Sequence, residues 1–98
     1  MKIIETRSKK TPAGPGIWGY DAEAMVEDQG QVLYIHANYY MGDHYTVSSE
    51  SMFDYMTGET EEEPYGEFLE EYEDLEDAES SEYYEVFEML EEMIKELD

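Results

Sequence analysis

The chain of 98 residues contains no cysteine, so disulfides, thiolate metal sites and a cysteine nucleophile drop out at once. It is also poor in cations. Only five Lys and Arg are present, and four of them, Lys2, Arg7, Lys9 and Lys10, fall in the first ten positions. Binding phosphates depends on Lys and Arg displacing counterions, so direct nucleic-acid binding is excluded. An anionic membrane surface would repel the chain in the same way. No run approaches the roughly 18 to 20 apolar residues that cross a bilayer, and Met1 to Glu5 lacks the apolar centre of a signal peptide. These absences lead us to expect a cytoplasmic protein.

What the chain has in excess is negative charge. Its 27 Asp and Glu give a formal net charge of -22, and between Glu59 and Asp98 a single cation, Lys95, faces nineteen carboxylates. Yet 41% of residues are hydrophobic, with ten Tyr, three Phe and one Trp, too rich an apolar content for a disordered acidic tail. Residues 1–98 are therefore read as one ordered domain with one modest core.

The first half reads as strands, mainly within residues 1–47. Lys2 to Arg7 fits a short strand, and Ser8 to Gly16, with Pro12, Gly14 and Pro15, reads as a loop. From Ile17 the residues alternate, placing Trp18, Tyr20, Ala22, Ala24 and Val26 on one face with Asp21 and Glu23 on the other. A turn around Gly30 leads to a second strand over Val32 to Met41, and a turn at Gly42 and Asp43 to a third over His44 to Val47. The second half, residues 48–98, reads mainly as helices. Ser48 and Ser49 would cap a short helix through Met52, Phe53 and Met56 that ends at Gly58, followed by an acidic linker over Glu59 to Glu63. Pro64 would then open a helix using Phe68, Leu69, Tyr72 and Leu75 as its inner stripe. Ser80 and Ser81 would cap a last helix, whose inner side is Tyr83, Val86, Phe87, Leu90, Met93, Ile94 and Leu97. That stripe spans only about two heptads, so it reads as core rather than a dimer seam, and a monomer or weak dimer is expected. The expected fold is α+β: a three- or four-stranded antiparallel meander packed against two or three acidic helices.

Helices this acidic carry a cost. The pairs Glu67/Glu71, Glu70/Asp74, Glu73/Asp77, Glu88/Glu92 and Glu92/Glu96 are all like-charged and together oppose folding by roughly 1 to 2.5 kcal/mol before screening. Helices over residues 67–79 and 82–97 would be about 20 and 24 Å long and hold fourteen carboxylates, close to the roughly fourteen phosphates along 24 Å of duplex. Small size, absent Cys, abundant Tyr and segments such as Glu67-Phe68-Leu69-Glu70-Glu71-Tyr72-Glu73-Asp74 resemble phage and mobile-element DNA mimics, including anti-restriction and anti-CRISPR inhibitors. That resemblance implies a non-enzymatic inhibitor in a host cytoplasm, whose carboxylates occupy the channel of a basic, DNA-binding protein such as a defence nuclease. The contact residues expected are Glu70, Glu71, Asp74, Asp77, Glu85, Glu88, Glu92 and Glu96.

The main alternative is a small adaptor or immunity-type protein that holds one basic partner through the tyrosines of its sheet, Tyr39, Tyr40 and Tyr45 among them. A plain solubilising surface is the blander reading. No Asp-x-Asp-x-Asp-Gly calcium loop is present, and His36 and His44 do not share a helix face at a ligand spacing, so neither a metal nor another cofactor is expected. No Gly-x-Ser-x-Gly elbow frames Ser48, Ser49 or Ser51, and Pro12 to Gly16 lacks the Lys and glycine spacing of a P-loop. With a net charge of -22 the folded chain repels itself, so its thermal midpoint should climb as salt is raised towards about 1 M. A midpoint that falls over that range would contradict the self-repulsion.

Overall fold

The computed structural model describes residues 1–40 and 42–98. The fold is α+β, a five-stranded antiparallel sheet with two α-helices, rather than the three- or four-stranded meander expected. Strands β1 (Lys2–Gly14), β2 (Ile17–Asp28), β3 (Gln31–Tyr39), β4 (Asp43–Ser48) and β5 (Phe68–Tyr72) lie side by side in chain order. Between β4 and β5 sits a one-turn helix α1 (Phe53–Met56), and after β5 come a short 3-10 turn (Asp77–Ser80) and helix α2 (Tyr84–Glu96).

The stretch from Ser8, expected as a loop, continues β1 to Gly14. Proline is tolerated there because β1 is an edge strand and Pro12 lies beside a register shift, where its missing N–H deprives no neighbour. The chain reverses only at Pro15 and Gly16; Gly16, with φ of 73°, supplies the left-handed position that a proline-led turn requires. The β2–β3 hairpin follows its expected course, pairing Ala22 with Ala37, Ala24 with Ile35 and Val26 with Leu33. The expected end of the next strand at Met41 lies outside the described residues.

Those three pairs form the floor of the core. Ala22, Ala24 and Ala37 are fully buried, and their small side chains let α2 approach the sheet closely. The helix contributes Val86, Phe87 and Leu90, and the Phe87 ring meets Tyr45 and Tyr72 edge-on at 5.6 and 5.9 Å. The stripe expected for this helix is therefore the one that packs. Its entry is set by Ser81, whose Oγ accepts the Tyr83 N–H at 3.1 Å just before the helix begins.

The opposite face of the sheet is polar but not solvated, contrary to the half-buried strand expected. Asp21, Glu23, His36, Thr46 and Ser48 are at most 3% exposed. Arg7 organises this layer: its guanidinium donates to Glu23 at 3.3 Å, Ser51 at 2.9 Å and Asp54 at 3.0 Å, and lies 4.5 Å above the Phe53 ring. Glu23 in turn accepts from the Met52 N–H at 2.9 Å and from the Ser51 hydroxyl. The residues that start α1 are thus Glu23 and Ser51; Ser48 donates instead to the Glu50 carbonyl at 2.6 Å.

The helix expected after Pro64 is absent. Residues 68–72 form β5, pairing Tyr72 with Tyr45 and Glu70 with Val47. Charge explains the preference: on a helix, residues four apart sit about 5 to 6 Å from one another, whereas along a strand they are about 13 Å apart. An extended chain over residues 68–72 therefore relieves the Glu67/Glu71 repulsion and sends Glu70 and Glu71 to opposite faces. Gly66 brings the acidic segment in: a Cβ there would stand 2.6 Å from Glu50 Cβ and 2.7 Å from its backbone N. Next to it, Ser49 and Glu67 exchange hydrogen bonds of 3.2 and 3.0 Å. Gly66→Ala should cost about 1 to 3 kcal/mol in denaturant unfolding by prising β5 from β4. An unchanged unfolding midpoint would show that this close approach is not needed.

Candidate functional site

On α2 the inward stripe fixes what faces outward. With Val86, Phe87 and Leu90 buried, Glu85, Glu88, Glu92 and Glu96 fall on the exposed side at steps of three and four. The stripe runs about 16 Å from Glu85 to Glu96 at 1.5 Å per residue. Lys95 sits at its edge, 3.4 Å from Glu92 and 3.9 Å from Glu91. Among the described residues, no cation lies within salt-bridge distance of Glu85, Glu88 or Glu96.

The other expected contact residues are not on a helix. Glu71, paired with Thr46, is exposed on the face of β5 away from α2, and Asp74 and Asp77 are in the turn that follows, where Asp74 accepts the Asp77 N–H at 2.7 Å and Asp77 the Glu73 N–H at 3.4 Å. Glu73, Asp74, Glu76 and Asp77 together line an open depression of about 480 Å³. This turn borders α2, as the tyrosines at the seam show: burial first, then Glu88, Glu79 and Glu91, push the Tyr84 phenol above its ordinary range. Burial first, then Asp43, Glu91 and Asp74, does the same to Tyr45. The acidic turn adjoins α2 through the 3-10 segment, whose Ala78 is buried in the same core cluster as Val86, Phe87 and Leu90.

Glu70 belongs to neither the turn nor the stripe. It accepts the Tyr72 hydroxyl at 2.5 Å and the Ser81 hydroxyl at 2.6 Å, so it joins β5 to the entry of α2. The bond from Tyr72 is the leading cause that raises the Tyr72 phenol above its ordinary range, followed by burial.

The cations are mostly engaged within the molecule. Arg7 is held by Glu23 and Asp54, Lys9 reaches Glu59 at 2.8 Å, and Lys10 lies 4.6 Å over the Trp18 ring and 5.6 Å over that of Tyr20. Lys9 holds the Glu59 carboxyl below its usual range, first through their hydrogen bond and then through charge. The basic N-terminal segment is thus spent on Glu23, Asp54 and Glu59 beside α1, and Lys95 is the cation that pairs on α2.

Of the tyrosines considered for a protein interface, Tyr39 and Tyr40 are 44% and 47% exposed, whereas Tyr45 is 2% exposed and part of the core. His36 is buried with its Nε2 3.0 Å from Asp21 Oδ1, without the alignment of a hydrogen bond; His44 is exposed, 3.9 Å from Glu71. Among the described residues no three His, Asp or Glu side chains are placed to hold a metal ion, and no helix is long and apolar enough to cross a membrane. Comparison with protein-family models, with curated proteins and with solved structures finds no match.

The two kinds of carboxylate should separate on mutation. Glu70→Ala, which strands two hydroxyls, should cost about 1 to 2 kcal/mol by urea unfolding, while Glu88→Gln should leave stability unchanged or raise it by about 0.2 to 0.5 kcal/mol by removing a like-charge pair. Equal effects from both would mean that Glu70 is not a structural link.

Proposed function

We propose that the anionic surface of α2 and the turn before it is the working face of the protein, and that it mimics nucleic acid to occupy the binding channel of a basic, DNA-binding protein such as a bacterial defence nuclease. The observation that carries this reading is the stripe Glu85, Glu88, Glu92 and Glu96 on an ordered helix, in which, among the described residues, Glu92 alone meets a cation, Lys95. A stripe meant only for solubility gains from interspersed Lys, which contributes about 0.2 to 0.5 kcal/mol per pair. Here that gain is forgone while the chain's other cations are used elsewhere. One carboxylate per about 4.5 to 6 Å on this stripe is of the same order as, though sparser than, the one phosphate per about 3.4 Å of a single DNA strand. Asp74 and Asp77 add a second, shorter row, whereas Glu71, paired with Thr46, lies on the face of the sheet away from α2. Such a surface associates quickly and in a salt-sensitive way with Arg and Lys of its partner. On this reading the protein is an inhibitor and performs no chemistry.

Exposed Tyr39 and Tyr40 support a second reading, an adaptor or immunity-type protein gripping one basic partner through the end of the central strand β3. Capture from bacterial lysate with Glu85, Glu88, Glu92 and Glu96 all changed to Gln distinguishes the two. Mimicry predicts that the parent captures DNA-binding proteins, that duplex DNA displaces them, and that the variant loses them. If the variant captures as well as the parent while Tyr39→Ala with Tyr40→Ala does not, the adaptor reading replaces it.

A further inference from the structure

A cavity of about 410 Å³ opens where the C-terminal end of α2 meets strands β2, β3 and β4. Three rings, Tyr20, Tyr39 and Tyr45, and three carboxylates, Asp43, Glu91 and Asp98, stand in its wall. The Tyr20 and Tyr39 rings are 6.1 Å apart and inclined at 51°, and the Tyr20 hydroxyl donates to Asp98 at 2.9 Å. Tyr45, 2% exposed, closes the inner side.

The rings and carboxylates of this wall favour the same ligand chemistry, and Lys95, which also stands in the wall, is the cation that opposes it. Ring faces attract cations through their quadrupole. The carboxylates do so by charge, and the negative end of the α2 dipole points at the same spot. Lys95 does not fill the space: its side chain is 62% exposed and its ammonium leans towards Glu92 and Glu91. A volume of this size suits an organic cation. A planar guanidinium matches it better than an ammonium, because its five N–H donors can meet several carboxylate and phenol oxygens at once while its face lies on a ring.

We propose that this cavity receives the guanidinium of an arginine side chain supplied by a protein partner. The inference rests on the reading of the acidic surface as an interface for a basic protein, and it adds an anchoring socket to a face that otherwise works by distributed charge. Desolvated arginines set in pockets are the contacts that dominate many interfaces.

The test is an NMR titration of the full chain with acetyl-arginine-amide, beside acetyl-citrulline-amide, which keeps the shape and removes the charge. Saturable shifts at Tyr20, Tyr39, Glu91 and Ile94 with the arginine probe alone are expected. Tyr39→Ala and, as a shape-preserving second variant, Glu91→Gln should each weaken binding about five-fold, and Lys95→Gln should leave it equal or tighter. Equal binding of the citrulline probe, or shifts that spread along Glu85, Glu88 and Glu92 without saturating, would overturn the socket. Duplex-displaceable capture of DNA-binding proteins, measured on the same samples, reads the mimicry proposal separately. A cavity that ignores arginine while capture persists therefore removes only the socket, and one that binds arginine while duplex displaces nothing removes only the mimicry.

Discussion

Self-repulsion is the constraint to which the rest of this structure answers. With 27 carboxylates and five cations on 98 residues, any compact arrangement brings like charges together, and every element choice is weighted by how well it keeps them apart. The segment from Glu67 shows the result. Its apolar residues suit a helix, but a helix would stack its acids at four-residue intervals, and the chain extends along β4 instead. Only where the apolar stripe is strong enough, at Val86, Phe87 and Leu90, does an acidic helix persist.

The scarce cations are placed where the acids are hardest to separate. Arg7 ties β1 and β2 to α1 through Glu23, Ser51 and Asp54, and Lys9 extends that tie to Glu59. Removing Arg7, whose own side chain is 36% exposed, would leave the buried Glu23 carboxylate without its cation. This explains how Glu23 can be nearly fully buried on the face away from α2. It also makes the molecule asymmetric, with Arg7 and Lys9 paired on the α1 side and Lys95 the cation paired on α2.

How much of this was legible in the sequence differs by element. Alternation marked β2 and β3, and three- and four-residue spacing marked the last helix, because each pattern reports contacts within one element. The outward row Glu85, Glu88, Glu92 and Glu96 followed directly. Four features were hidden for a common reason: their causes lie far away in sequence. Nothing near Pro12 says that it occupies an edge, where its missing N–H is harmless. Nothing near Glu23 says that Arg7 and Ser51 will cover it. The fate of Glu70 depends on Ser81, and the cavity at the end of α2 assembles Tyr20, Tyr39, Asp43 and Glu91 from four elements.

A working anionic face requires carboxylates held by ordered backbone rather than carried on a flexible tail. Amide hydrogen exchange at physiological salt measures this directly. Slow exchange is predicted for the ladder amides of residues 68–72 and the interior amides of residues 87–94. Fast exchange throughout the chain beyond residue 66, with the β2–β3 hairpin still protected, would contradict it.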